Sequence, residues 1–445
     1  MAPSTGFRAL INTTIDVKLL CLQRLVRLYA FGISSLILAL HLAKLGFSEE
    51  RIGLFMTLTL LGDVFLSLVV TAIADRIGRA RMLALGSLLM ASSGVIFAIS
   101  NNYWVLLLAS IFGVISPSGG DIGPFKAIEE SMMAQLVTAA DFNAVLAWYY
   151  LLGAWGTAAG VMGTGWVIQV LEHRGLSTLV AYKCMFCMYS LMGVIKLILS
   201  VVLSKACEMK AEKDTTNAER DPPIATEAQP LLPKPEPERD INNWITRLCP
   251  TLCKESKKFL TKFCFIISLD SFGSGLASNS WLTYFLTLKY DMQLGFLGSI
   301  FFASNLLASV SNLIAIPVAH KVGLIATMVL GHVPASIALL LLPLLPTVFG
   351  TVTCLLIRSI FIEFDQAPRQ AFLAHAILPE ERTVVMGGVN VVRTLSRSFA
   401  PFITGVLGGR DGKGGYKGIG LAISLAGCLK LAYNVLLLGA FGVQG

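Results

Sequence analysis

The chain has 445 residues, 55% of them hydrophobic and only 14% charged, with a net charge of +8 and a mean hydropathy of +0.72. Soluble domains carry roughly 25% charged residues, so this composition excludes an ordinary soluble enzyme domain and points to a membrane protein. The basic residues are scattered along helix ends and connections, which argues against a nucleic-acid surface. Nine cysteines imply neither a disulfide framework nor zinc, and Cys184 and Cys187, inside an apolar run, read as small buried hydrophobes.

The polar start, "MAPSTGFRALINTTIDVK", precedes a hydrophobic run too long for a signal-peptide core, so the first helix is expected to direct insertion. A bilayer core takes about 20 apolar residues per helix. Apolar stretches begin near Leu19, Arg51, Met82, Tyr103, Phe142, Leu176, Phe259, Met292, Leu324, Thr347, Thr383 and Tyr416. Lipid offers backbone groups no hydrogen-bond partner and the alternation of barrel strands is absent, so the spans are expected to be helices. The expected fold class is an all-α polytopic membrane protein with twelve transmembrane helices.

Span one carries Arg24 and Arg27, three residues apart on one helical face. Snorkelling rescues Arg24 more easily than Arg27, which lies about 13 Å in; Arg24 reads equally as anchor or functional group, and Arg27 as functional. Tyr29 is a candidate for cavity lining, and His41 falls toward the outer end as an interfacial histidine. Between spans two and three, "TAIADRIGRAR" concentrates Asp75, Arg76, Arg79 and Arg81. Span four supplies Asp121, Lys126, Glu129 and Glu130 among Gly119, Gly120, Gly123 and Pro124. Asp121 is placed to pair with Arg24 or Arg27, whereas Glu129 and Glu130 read as a solvated helix end or as coupling groups. In span five, "LLGAWGTAAGVMGTG" presents small residues suited to close packing and sliding.

From Ser204 to Lys258 the chain turns polar and rich in Glu, Lys and Pro, a composition that cannot bury enough apolar surface to order itself. Three units result: residues 1–203 as a six-helix bundle, 204–258 as a disordered linker, and 259–445 as a second six-helix bundle. Within the linker, Glu227, Leu231 and Leu232 match the spacing of an acidic dileucine signal read by sorting adaptors at vacuoles or lysosomes. Beyond it, Asp270 in span seven and Arg358 in span ten both count to a depth of about 16 Å and are expected to meet. Asp365 follows Glu363 in span ten, and Arg393 and Arg397 in span eleven read as ties to acidic neighbours near the cytoplasmic entrance. Asn279, Tyr284 and Asn390, with Trp148, Tyr149 and Trp281, are further candidates for cavity lining.

The halves repeat each other. A shift of 245 lays Ala74, Gly78 and Gly86 on Ala319, Gly323 and Gly331, and a shift of 244 lays Asp121 and Pro124 on Asp365 and Pro368. Six plus six spans in parallel repetition is the plan of a transporter with a site between two bundles at mid-membrane. "TAIADRIGRAR" resembles the loop signature of the major facilitator superfamily, G-x-x-x-D-R-x-G-R-R, between spans two and three. Thr71 replaces the first Gly, and Ala80 separates Arg79 from Arg81. The resemblance covers essentially the whole chain, and "GPFKAIEES" and "PRQAFLAHAILPEERTVVMG" look like a fungal branch of that superfamily. It implies two pseudo-symmetric bundles and a latch on the cytoplasmic side formed by Asp75, Arg76, Gly78 and Arg79.

Arg76, Arg79, Arg81 and the linker lysines place that loop, the linker and both termini in the cytoplasm; Arg410, Lys413 and Lys417 then fall outside. The expected function is a secondary active transporter of a small organic solute by alternating access, proton-coupled, in the vacuolar or plasma membrane. Arg27, Asp121, Asp270, Arg358 and Asp365 are the candidates for substrate binding or coupling. Substrate charge stays open, because the arginines are either free for an anion or consumed by the carboxylates. The alternative is a facilitator-like receptor or scaffold that binds a ligand without net transport. No phosphate loop, nucleophile elbow or metal-ligand pattern appears, so neither an enzyme nor a cofactor is expected.

Overall fold

The computed structural model describes residues 10–113, 115, 124–204, 207, 254–377, 381–410 and 415–441. Asp121, Glu227, Leu231 and Leu232 lie outside these residues, and the side chains of Asp75 and Arg76 lie outside the description as well. Among the described residues, the first half comprises α1 (Ile15–Lys44), α2 (Glu49–Ile77), α3 (Arg79–Ile99), α4 (Tyr103–Phe112), α5 (Pro124–Leu136), α6 (Ala139–His173) and α7 (Thr178–Val201). The second comprises α8 (Lys254–Leu276), α9 (Asn279–Tyr290), α10 (Leu294–Val322), α11 (Leu324–Leu341), α12 (Val348–Phe361), α13 (Gln366–Ala376), α14 (Arg382–Gly409) and α15 (Lys417–Phe441). Each span begins within five residues of its expected start.

Nine of the crossings among the described residues are long and apolar enough to span a bilayer on composition alone. The other crossings are α4 with α5, α12 with α13, and α14, which are too short or too polar for that criterion. These same crossings contribute most of the cavity wall described below.

Helix starts follow from local chemistry. Ser48, Asn102, Ser177 and Thr347 each offer a side-chain oxygen to a free N–H in the first turn of α2, α4, α7 and α12. All four caps sit at the end of the molecule away from the linker, here the far end. At the linker end, α2 passes into α3 through Gly78 alone, at φ 108°, and α10 into α11 through Gly323 alone, at φ 95°. A side chain is strained at such φ values, so the alignment of these two glycines at a shift of 245 reflects one corner made twice.

Packing repeats in the same way. α1 lies on α6 and α7 as α8 lies on α14 and α15, and α3 lies on α7 as α11 lies on α15. Between halves, α6 packs on α10 and α14 on α2, an exchange of equivalent partners. In the first half, Ser190 donates to the Ala91 carbonyl at 2.7 Å, and a Cβ on Gly193 would stand 2.6 Å from the Ala91 nitrogen. In the second, Ser424 donates to the Leu340 carbonyl at 3.2 Å, and a Cβ on Gly427 would stand 2.6 Å from the Leu340 nitrogen. The fold is therefore twelve helical crossings in two pseudo-symmetric six-helix bundles.

Small residues bring the halves together at the far end. A Cβ on Gly53 of α2 would lie 2.5 Å from the Pro401 carbonyl of α14, and one on Gly298 of α10 would lie 2.9 Å from the Val161 carbonyl of α6. Polar links flank these contacts: Ser280 donates to the Ser35 carbonyl at 2.9 Å, Gln169 to Gln293 at 2.7 Å, and Tyr284 to Glu49 at 3.1 Å. The span-five glycines divide their work. Gly156 and Gly160 meet the α1 backbone at Leu25 and Tyr29, whereas Gly165 meets Leu294 of α10 across the halves.

Candidate functional site

Toward the linker end from these contacts, the halves enclose a cavity of about 450 Å³. One wall is Val64, Ser67 and Leu68 of α2 with Lys126, Ala127 and Glu130 of α5; the other is Gln366 and Gln370 of α13 with Asn390, Val391, Arg393, Thr394 and Arg397 of α14. Of the residues anticipated as lining, Asn390 stands in this wall. Tyr29 instead packs on the span-five glycines, Tyr284 bonds to Glu49 at the far end, and Asn279 opens α9 and accepts from Thr283 through its carbonyl at 2.9 Å. Arg393 and Arg397, expected as structural ties, face the cavity, and neither makes an ion pair or side-chain hydrogen bond among the described residues. Glu130 accepts from Tyr150 at 2.6 Å, and the Lys126 ammonium lies 5.2 Å from the Tyr150 ring centre.

Beside the cavity, each bundle contains a buried ionic cluster. In the first, Glu129 is fully buried, which corrects the expectation of a solvated helix end. Its carboxylate takes Arg27 at 3.0 Å, Lys196 at 3.6 Å and the Tyr149 hydroxyl at 2.5 Å. Arg24 is also buried, its guanidinium 4.7 Å from the Tyr149 ring centre, so its charge faces an aromatic surface and does not reach the interface. The expected partner for Arg27, Asp121, lies outside the described residues; the observed partner is Glu129.

In the second bundle Asp270 accepts from Lys430 at 2.6 Å, and His332 Nε2 lies 3.2 Å from the same carboxylate oxygen. Lys430 also donates to Ser274 at 2.7 Å, and His332 Nδ1 lies 3.2 Å from the Asn434 amide nitrogen. The expected Asp270–Arg358 pair does not form: equal depth does not ensure that two helices turn the same faces together, and Lys430 occupies the position. Arg358 is buried without an ion pair among the described residues. Asp365 is held within its own helix turn by Arg369 at 2.8 Å.

Lys196, His332 and Lys430 complete these clusters and lie outside the residues expected from the sequence. A signal was present, because "GVIKL" at 193–197 and "GCLKL" at 427–431 repeat at a shift of 234, and a lysine inside an apolar span is costly unless paired. His41, expected at the interface, is fully buried among Phe97, Tyr182 and Phe186, whose ring centres lie 4.9–6.3 Å away. Cys184 and Cys187 are exposed on α7, not buried. At the corner, Arg79 donates to Gln135 at 3.4 Å.

The chain is similar to known proteins in sequence and in fold. The family model of the Major Facilitator Superfamily matches residues 20–401. An uncharacterized membrane protein of Saccharomyces cerevisiae is 34% identical over 400 residues, covering 88% of each chain. The crystal structure of the nucleoside transporter NupG superposes with a TM-score of 0.69 at 13% identity, over 96% of this chain and 99% of that one. A D-xylose–proton symporter superposes with a TM-score of 0.67 at 13% identity, over 95% and 96% of the two chains. At such identities the structural likeness concerns the fold.

Proposed function

The chain belongs to the major facilitator superfamily as an integral, multi-pass membrane transporter, and on that premise we propose that it carries a small organic solute by alternating access, driven by a proton gradient. The observation that carries this reading is the cavity between the bundles: walls drawn from both halves and carrying Lys126, Gln370, Asn390, Arg393 and Arg397, beneath a far end sealed by glycine crossings, hydrogen bonds and an apolar core shared by the two halves. Opening the far end must part that shared core, and the glycine crossings, where backbones meet directly, let each bundle move as a rigid body. With the basic corner and linker in the cytoplasm, as charge bias favours, the described state faces inward.

Proton coupling is assigned to the second-bundle cluster, where Asp270, His332 and Lys430 share one carboxylate oxygen. Protonating Asp270 removes the charge that binds α8 to α11 and α15, so proton occupancy and helix position become linked. Glu129 holds α1, α5 and α7 together through Arg27 and Lys196 and serves as the first bundle's counterpart. The corner residues Asp75, Arg76, Gly78 and Arg79 would latch the linker end when the far end opens. Sorting through Glu227, Leu231 and Leu232 would deliver the protein to the vacuolar membrane. The same fold serves a nucleoside transporter and a D-xylose–proton symporter, so it accommodates solute carriage and proton use.

The test is uptake by proteoliposomes under an imposed pH gradient, using a panel of radiolabelled organic solutes. Accumulation of a solute that collapses with the gradient and is lost in Asp270→Asn supports the proposal. Saturable binding without flux under any gradient would instead establish a receptor.

A further inference from the structure

Resting on the transporter reading, we infer that the cavity is an oxyanion site and that the cargo is a small organic anion, its acidic group held by Arg393 and Arg397. The two arginines are one turn apart on α14, so their side chains share a helix face. Two like charges in that relation repel, and they are normally tolerated where an acid or bulk water compensates them. Here no acid pairs with them directly: among the described residues neither guanidinium has an ion pair or side-chain hydrogen-bond partner, and the acids whose field reaches Arg393, Asp270 and Asp365, are already bound to Lys430 and Arg369. The Arg393 Nε is moreover out of solvent contact and unbonded. Arginine presents planar, paired N–H donors that match the oxygens of carboxylate, phosphate or sulfonate groups.

A topological role does not account for them. At 1.5 Å per residue, Arg393 and Arg397 stand roughly 16 and 22 Å along α14 from its start, near the midpoint of that helix, whereas topology is set by residues near span ends. Across the cavity Lys126 adds a third cation from the first half. The single acid in the wall, Glu130, has its own partner in Tyr150. The side-chain amides of Gln370 and Asn390 are likewise without protein partners among the described residues, and supply hydrogen bonds for the non-ionic part of the cargo. An anion bridging α5 and α14 would draw the two halves together at the linker end, which is the movement that closes an inward-facing cavity.

Purified full-length protein is titrated with succinate, citrate, glycerol 3-phosphate and ethanesulfonate, with succinamide and glycerol as neutral counterparts and choline as a cation, while thermal unfolding is followed. The expected result is saturable stabilisation by at least one anion and none by its neutral counterpart. Arg393→Gln and Arg397→Gln should each weaken it by roughly tenfold or more, the size expected for losing a hydrogen bond to a charged group, and Arg397→Lys by less. Which anions act distinguishes carboxylate from phosphate or sulfonate. Stabilisation by neutral or cationic solutes that survives loss of both arginines, or no stabilisation by any anion, overturns the inference.

Should the arginine variants fail to fold, Thr394→Cys in a background without native cysteines gives an independent reading. An anionic methanethiosulfonate must react there several-fold faster than a cationic one of similar size; equal or reversed rates overturn the inference. Proteoliposome flux separates this from the parent reading. Arginine-dependent binding without flux refutes transport and leaves the anion site standing, whereas flux of neutral solutes alone does the opposite.

Discussion

Replacing Gly53 by alanine should shift the protein between its two states without unfolding it. The added Cβ would lie 2.5 Å from the Pro401 carbonyl oxygen and 3.0 Å from the Gly405 Cα. An ordinary carbon–oxygen contact is about 3.3 Å, so α2 and α14 must separate by roughly 0.8 Å wherever the far end is closed. Overpacking of this kind costs about 1–3 kcal/mol. Because α2 and α14 belong to different halves, that cost falls on the far-closed state and is relieved when the far end opens. An energy of this size changes the ratio of the two states by about 5–150-fold.

The reporter is Ser280→Cys in a background without native cysteines. Ser280 is fully buried at the far end against Ser35, so a membrane-impermeant maleimide reaches it only after opening. Gly53→Ala should raise its labelling rate by roughly that same factor. Gly32→Ala is the control, since its Cβ would lie 2.6 Å from the Thr157 carbonyl, a clash of the same size inside one bundle. It should lower thermal stability and leave the labelling rate alone. An unchanged rate in Gly53→Ala, or an equal rise in both variants, would show that the far-end glycines do not form a separable contact.

Three further outcomes follow from the buried clusters and the repeated glycines. Lys430→Met strands the Asp270 carboxylate with His332 alone, at an expected cost of about 3–5 kcal/mol; adding Asp270→Asn should recover much of the lost melting temperature, and equal instability of single and double variants would count against the pair. Glu129→Gln leaves Arg27 and Lys196 facing each other without a counter-charge, and gel filtration should show loss of monodisperse protein that Glu129→Gln with Lys196→Met partly restores. Gly193→Ala and Gly427→Ala should each cost about 1–3 kcal/mol, and together their sum to within about 0.5 kcal/mol, because they lie in different halves; strong non-additivity in thermal unfolding would contradict that independence.

The crossings were legible because bilayer thickness fixes a length that the apolar runs of the sequence match, and because Gly78 and Gly323 mark a corner that requires positive φ. The partners of the charges were less legible. Rise per residue gives depth along a helix, so Asp270 and Arg358 counted to one level, but rotation about the axis decides which group faces which, and Lys430 and His332 take the carboxylate. Lys196 and Lys430 are hard to align in the sequence because their repeat runs at a shift of 234, ten to eleven residues from the shifts of 244 and 245 that align the earlier spans. Arg393 and Arg397 read as ties to acids because an unpaired arginine inside a span is costly. That cost is tolerable where a water-filled cavity lies alongside, and a cavity is a property of two halves together, which no single segment encodes.

Alternating access requires that the two ends of the molecule move in opposite senses. Spin labels placed at Gln169 and Gln293 across the far end, and at Gln135 and Gln370 across the linker end, allow pulsed dipolar distances to be measured in reconstituted protein. Alternating access requires two populations at each end, with pH shifts that lengthen the far-end distance shortening the linker-end distance. One fixed distance at both ends, or a change in the same sense at both, would contradict it.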